Sequence, residues 1–284
     1  MGREALSVGS APEKEDPAAL LASWRHCISE VIRTPDEYEA SPDGSVDILA
    51  ASLDVETLLK WYGSNAARAT LNGPLKYKVL DRLGGRGAPW EIHRPQHVVR
   101  QLVQRGAFAG RVLDAGCGIG DNSLYIAKAC PGASVTAVDA VERCVKFGEQ
   151  KARLRGMAGR VAFAVANLGE AGAGGLRDRT AAEPYDVVLD SYTYDTLTDE
   201  ERGAYVAALR QLLQPGGVVY LAVLSEDETR QGGPRRVSQC EVRSVFSPAS
   251  GWAVEAEEET HLEVHPSFWG GKGRARLYTI RKAP

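Results

Sequence analysis

The stretch Arg111-Val-Leu-Asp-Ala-Gly-Cys-Gly-Ile-Gly-Asp-Asn-Ser-Leu-Tyr-Ile-Ala127 constrains the fold of this chain more than any other. Val112 and Leu113 end a short apolar run of the kind buried in a parallel sheet, and Asp114 closes it. Gly116, Gly118 and Gly120 follow at every second position. From Asp121 the spacing of Leu124, Ile126 and Ala127 predicts a helix that Pro131-Gly132 stops. A strand, a glycine turn and a helix start gather backbone N–H groups around one small volume, and glycines let a ligand approach that backbone. The pattern D-x-G-x-G-x-G is not the G-x-G-x-x-G of a dinucleotide loop, because Asp121 stands where the third glycine belongs. An acid at the loop's entrance disfavours a pyrophosphate and favours a cationic ligand.

The rest of the chain repeats strand and helix around this unit. Residues 1–15 are small and polar and read as a flexible N-terminus. Asp16-Pro17 starts a helix with apolar positions Leu20, Leu21, Trp24, Ile28 and Val31, and Asp54 caps another that carries Leu58, Leu59 and Trp61. Residues 16–87 are therefore expected as a helical extension or lid, and 88–284 as the main domain. In that domain a helix is expected from Gln96 to Arg105, and Ser134–Val138 forms a second strand closed by Asp139, 25 residues after Asp114. Val141–Arg155 reads as helix, and Val161–Val165 and Tyr185–Leu189 as strands. Thr198-x-x-Glu201 is a capping box that opens a helix to Leu213, and Ser238-x-x-Glu241 is a second that opens a short one. Pro215-Gly-Gly turns into an apolar strand, Val218–Leu224, and Trp252–Val264 with Ala275–Lys282 reads as an edge hairpin. The expectation is a doubly wound α/β architecture: a seven-stranded, mostly parallel sheet with an N-terminal helical extension.

Val112 to Gly120 resembles motif I of the class I S-adenosylmethionine (SAM)-dependent methyltransferases. Asp139, Asn167 and the Pro215-Gly-Gly turn follow in the family's order, and the resemblance covers about two-thirds of the chain. It implies SAM as cofactor and S-adenosylhomocysteine as its product. It also implies a cofactor site made of Trp90, Asp114, Gly116, Gly118, Gly120, Asn122, Asp139, Ala140, Asn167, Leu168 and Asp190. Within that set Asp114 stands near the cofactor's ammonium, Asp139 accepts from the ribose hydroxyls, and Asn167 and Leu168 border the adenine. Pro89-Trp90-x-x-x-Arg94-Pro95 before the first strand, Asp190-Ser191 after the fourth and Gly233–Ser238 after the fifth resemble the thiopurine and halide/thiol methyltransferase-like group. Trp90 then closes over the cofactor, as an aromatic face attracts a sulfonium and excludes water.

The acceptor end is expected to involve Asp190, Tyr192 and His93, with Tyr194, Asp195, Arg235 and Trp269 as further candidates. A thiolate or halide acceptor needs no strong base, whereas an amine or hydroxyl needs one or an orienting hydrogen bond. His93 and His97, and His261 and His265, are four apart, without the acid or cysteine company of a metal site, so no metal is expected. With a net charge of −3 and scattered Lys and Arg, the expected partner is a small-molecule acceptor, with no nucleic acid and no membrane. Five cysteines without a C-x-x-C pair suit a reduced, cytoplasmic protein, a monomer or homodimer. Two other readings stay open at this point: a non-catalytic SAM-binding scaffold, and a nicotinamide-dependent oxidoreductase.

Overall fold

The computed structural model describes residues 90–92, 94–170, 176, 183–230, 233–264 and 269–284. The expected N-terminus 1–15, the helical extension 16–87 and His93 lie outside them. Within them the chain alternates strand and helix. The order is α1 (His97–Gln104), β1 (Gly110–Ala115), α2 (Asp121–Ala129), β2 (Ala133–Asp139), α3 (Glu142–Leu154), β3 (Val161–Val165) and β4 (Tyr185–Ser191). It continues as α4 (Asp199–Leu212), β5 (Leu213–Leu224), α5 (Gln239–Val245), β6 (Trp252–Glu263) and β7 (Lys272–Lys282).

All seven strands form one sheet in the order β3-β2-β1-β4-β5-β7-β6. β1 through β5 pair in parallel, while β7 runs antiparallel between β5 and β6. The period-2 pattern of the strands sorts side chains to two faces. Val112, Leu189 and Ala222 join Val98, Val99 and Leu102 of α1 and Leu124 of α2 in one apolar cluster. Leu113, Val188, Val219 and Leu221 join Tyr205, Leu209 and Leu212 of α4 in another. A sheet buried on both faces explains why its central strands read as unbroken apolar runs.

The caps show where local reading held. Thr198 accepts from the Glu201 amide at 3.3 Å while Glu201 accepts from the Thr198 amide at 2.8 Å, the full box expected at the start of α4. The second box is only half made. Ser238 Oγ accepts from the Glu241 amide at 3.1 Å, but the Glu241 carboxylate turns away to Arg235 and Tyr194. A bidentate guanidinium outcompetes one backbone N–H. Pro215-Gly216-Gly217 lies inside β5, where pairing with β4 slips between Tyr185–Leu213 and Val187–Val218, rather than ahead of the strand.

β1 is the switch point. The chain leaves it through α2 toward β2 on one side, whereas β4, on its other side, leads through α4 to β5. The loops after β1 and β4 therefore diverge and leave a crevice at the carboxyl ends of these strands.

Candidate active site

The crevice encloses about 1100 Å³ that protein atoms do not fill, part of it open to solvent. The glycine loop forms its floor. Gly116 and Cys117 both donate to the Val138 carbonyl, at 2.9 and 2.8 Å, which fixes the loop against β2. Gly116 has φ +82° and lies under Thr193, so only a residue without a side chain fits there. Gly118 lines the crevice; Gly120, at φ +82°, heads α2 and packs against Phe163 instead.

Asp139 rises at the crevice rim. Its Oδ2 accepts from the Gly118 amide and its Oδ1 from the Val141 amide, both at 2.9 Å. Each oxygen keeps lone-pair capacity for a ligand hydroxyl. Burial pushes its carboxyl up to about 6 against those two amide bonds. Ala140, Asn122, Asn167 and Leu168 line the same space, as does Trp90. Asn167 accepts from the Gly169 amide at 3.0 Å, and Asn122 accepts from the Gln96 amide at 2.9 Å.

Two sequence expectations meet a different geometry. Asp114 is fully buried behind the loop rather than open to the crevice. Its Oδ2 accepts from Ser123 Oγ at 2.5 Å, while its Oδ1 has no partner among the described residues. Burial pushes this carboxyl up to about 7, opposed by the Ser123 hydroxyl. Asp190 does not face the crevice either. It is fully buried and accepts from the Thr193 amide at 2.8 Å, the Tyr194 amide at 3.2 Å and the Tyr205 hydroxyl at 2.6 Å. A strand-ending acid followed by a tight turn is drawn to the turn's own N–H groups.

The further acceptor-side candidates are structural braces. Asp195 is buried and accepts from the Leu224 amide at 2.9 Å. Arg235 forks onto Glu241 at 2.6 and 2.7 Å, and Tyr194 donates to the same carboxylate at 3.2 Å. Trp269 is clasped between Arg230 and Arg236, whose guanidinium carbons stand 5.5 and 5.2 Å from its ring centre. None of these four lines the crevice.

Tyr192 does line it. Its φ is +67°, a conformation that costs a bulky residue on the order of 1–3 kcal/mol and is kept where the surroundings demand it. Its hydroxyl is buried and has no partner among the described residues. Sequence reading had no signal for Glu91, Cys144, Thr193 or Leu197, which also border the space. For Glu91 the one available hint was its place beside Trp90.

The segment that carries Trp90 is fastened across the sheet. The Gln96 side-chain carboxamide accepts from the Glu263 backbone N–H at 2.9 Å and donates to its carbonyl at 3.0 Å. The Glu263 carboxylate accepts from Arg94 at 3.0 Å and Arg100 at 2.8 Å. Beside them His97 stacks on His261, ring centres 4.2 Å apart, a pairing across elements rather than the four-residue spacing that stood out in the sequence.

Comparison with known proteins places this geometry. Residues 112–217 match the model of a methyltransferase domain family. A 2-heptyl-1-hydroxyquinolin-4(1H)-one methyltransferase of Mycobacteroides abscessus is 28% identical over 196 residues, 68% of this chain and 81% of that one. A thiopurine S-methyltransferase of Vibrio atlanticus is 35% identical over 66 residues, 23% of this chain and 30% of that one. The structure from a study of the conversion of a disulfide bond into a thioacetal group during echinomycin biosynthesis superposes with a TM-score of 0.60 at 26% identity, over 74% of this chain and 92% of that one. The [4+2]-cyclase SpnF, at 16% identity and a TM-score of 0.57 over 75% of this chain and 96% of that one, shares the fold alone.

Proposed function

Because the chain is a class I SAM-dependent methyltransferase that moves a methyl group from SAM to a small-molecule nucleophile, we propose that the crevice over the glycine loop holds both substrates and that the acceptor is a flat heteroaromatic molecule with an acidic sulfur or oxygen. One observation carries the placement: Asp139 stands at the rim of the crevice, bound to the Gly118 amide of its floor. Residues 88–284 are the catalytic domain in this reading.

Bound SAM supplies a methyl group on a sulfonium, open to in-line displacement. The protein's part is binding and orientation. Asp139 accepts from the ribose hydroxyls, Asn167 and Leu168 border the adenine, and Gly116 and Gly118 leave room for Thr193 and Glu91 to close on the loop. Trp90 covers the cation and keeps water out. Asp114 sits behind the loop, where it accepts from Ser123 at the start of α2, and Asp190 holds the turn that carries Tyr192. Tyr192 borders the acceptor end of the crevice, and holding two reactants in line supplies much of the acceleration.

The acceptor class follows from the bases. Asp190 is spent on three donors, and burial holds the Tyr192 phenol well above its ordinary value. Among the described residues, none at that end is placed to take a proton. An acceptor that ionises by itself suits such a site, and thiopurine and 1-hydroxyquinolinone, in the relatives' names, are both flat heteroaromatics bearing sulfur or an N-hydroxyl. Turnover of SAM to S-adenosylhomocysteine against a panel of heteroaromatic thiols, N-hydroxy heterocycles, halides, amines and alcohols tests this. The first two classes should turn over fastest, and activity confined to halides or amines defeats the acceptor assignment.

Asp139→Ala should weaken SAM binding by about 1–3 kcal/mol, the worth of hydrogen bonds to a charged group, which calorimetry reads directly. In the intact protein, affinity should fall below pH 6 by up to about tenfold per pH unit, since the proton Asp139 takes up must leave for the carboxylate to accept twice. A D139N variant should flatten that profile.

No helix of the described residues is long and apolar enough to cross a membrane. The proposal extends to a cytoplasmic enzyme, monomer or homodimer, with no nucleic-acid partner, supported by its scattered cations and net charge of −3.

A further inference from the structure

Gly118 adjoins two carboxyl groups. Its amide donates to Asp139. The Glu91 carboxyl stands so close to its α-carbon that any side chain at this position would strike Oε1. The Glu91 carboxyl also accepts from the Ile119 amide, and both acids line the crevice. Residue 91 keeps some exposure along its length, but its carboxyl end is enclosed. We propose that Glu91 is a second cofactor-binding carboxyl, gripping the ribose diol together with Asp139. This rests on the assignment of the crevice to SAM.

Three observations support it. Both groups adjoin one glycine and line one crevice, and a vicinal diol presents two hydroxyls to be held. The groups facing Glu91 differ in how they are engaged: Asp121 is neutralised by Lys151 at 2.7 Å and Arg155 at 3.1 Å, whereas Asp139 is held, among the described residues, by two backbone amides. Burial pushes Glu91 up to about 8 against the pull of Lys151, with Asp121 and Asp139 adding to the rise, while Asp139 reaches only about 6. At neutral pH one carboxyl then accepts while the other carries a proton to donate, and a diol uses both. Glu91 sits next to Trp90, so the same short segment would cover the cation and hold the sugar.

The test is calorimetry on the full chain with SAM, S-adenosylhomocysteine and its 2′-deoxy and 3′-deoxy analogues. Glu91→Ala should weaken SAM and S-adenosylhomocysteine alike by about fivefold to tenfold, the worth of one hydrogen bond. Glu91→Gln, which keeps a donor and an acceptor, should retain most of the affinity. The loss in Glu91→Ala should vanish for the analogue without the hydroxyl that Glu91 holds, a dependence that a merely structural role would not give. Equal or tighter SAM binding by Glu91→Ala, or the same loss with both deoxy analogues, overturns the proposal. Failure of the wild-type protein itself to bind SAM and S-adenosylhomocysteine overturns the cofactor assignment and the proposal with it.

Discussion

Gly116→Ala should abolish SAM binding and lower the unfolding free energy by about 2–4 kcal/mol, through backbone strain and overpacking together. The backbone there has φ +82°, and a Cβ would stand 2.6 and 2.8 Å from Thr193 Cγ2 and Cβ. Thr193 cannot swing aside cheaply, because its amide is held by Asp190 and its hydroxyl reaches the Gly116 carbonyl. The loop must therefore move, and it can move only by breaking the two bonds to the Val138 carbonyl that fix it. Gly106→Ala provides the control. It has φ +70° and nothing within 4 Å of an added Cβ, so only backbone strain of about 1 kcal/mol is expected, with SAM affinity intact. Thermal denaturation with calorimetry on both variants separates strain from the clash. A Gly116→Ala protein that melts like Gly106→Ala and binds SAM normally would mean that Thr193 yields, and that the floor of the site is softer than its contacts imply.

Asp190→Ala should cost about 3–5 kcal/mol of stability, since it leaves the Thr193 and Tyr194 amides and the Tyr205 hydroxyl without an acceptor at about 1–3 kcal/mol each, eased where water enters. Activity should fall with it, but for a structural reason, because the turn that presents Tyr192 loses its anchor. Asp190→Asn separates the two roles. The amide oxygen can still accept from the turn, so the variant should fold and keep measurable turnover; an acid that takes a proton from the acceptor could not be replaced in that way. The pH dependence has a definite sign. Burial raises the folded Asp190 carboxyl from its ordinary 3.8 to about 7. Its contribution to stability is thus complete below about pH 4 and is lost as pH climbs through 7. The stability deficit of Asp190→Asn relative to the wild type should then shrink between pH 5 and pH 8, as read by denaturant titration. A deficit that grows over that range would mean that the carboxylate, not the acid, is the stabilising form.

The two variants also show why an acid at a strand end is ambiguous. Asp114, Asp139 and Asp190 look alike in the sequence, each closing an apolar run. Only Asp139 reaches the crevice. The difference lies in what each carboxylate meets after the strand. Asp139 meets two loop amides and open space, Asp114 meets Ser123 nine residues on, and Asp190 meets its own turn and a tyrosine of α4. The position of Asp190 suggested a reacting group, and its carboxyl is engaged by its own turn and Tyr205.

What the sequence determined by itself is what near neighbours decide. Apolar runs, the glycine spacing after Leu113, the T-x-x-E box at Thr198 and the alternation of strand and helix depend on residues within a turn or two of each other. All of them survive in the structure, together with the seven-stranded sheet they imply. What only the tertiary structure decided involves partners brought together by the sheet's crossings. Gln96 and Arg100 meet Glu263, 167 and 163 residues away, and Thr193 closes over Gly116 from 77 away. His97 stacks on His261, and Glu91 comes to rest on Gly118. Period and propensity report which face of an element is apolar. They do not report which oxygen a buried carboxyl will find, because that depends on how β1 and β4 lie side by side and on which loops their divergence leaves open.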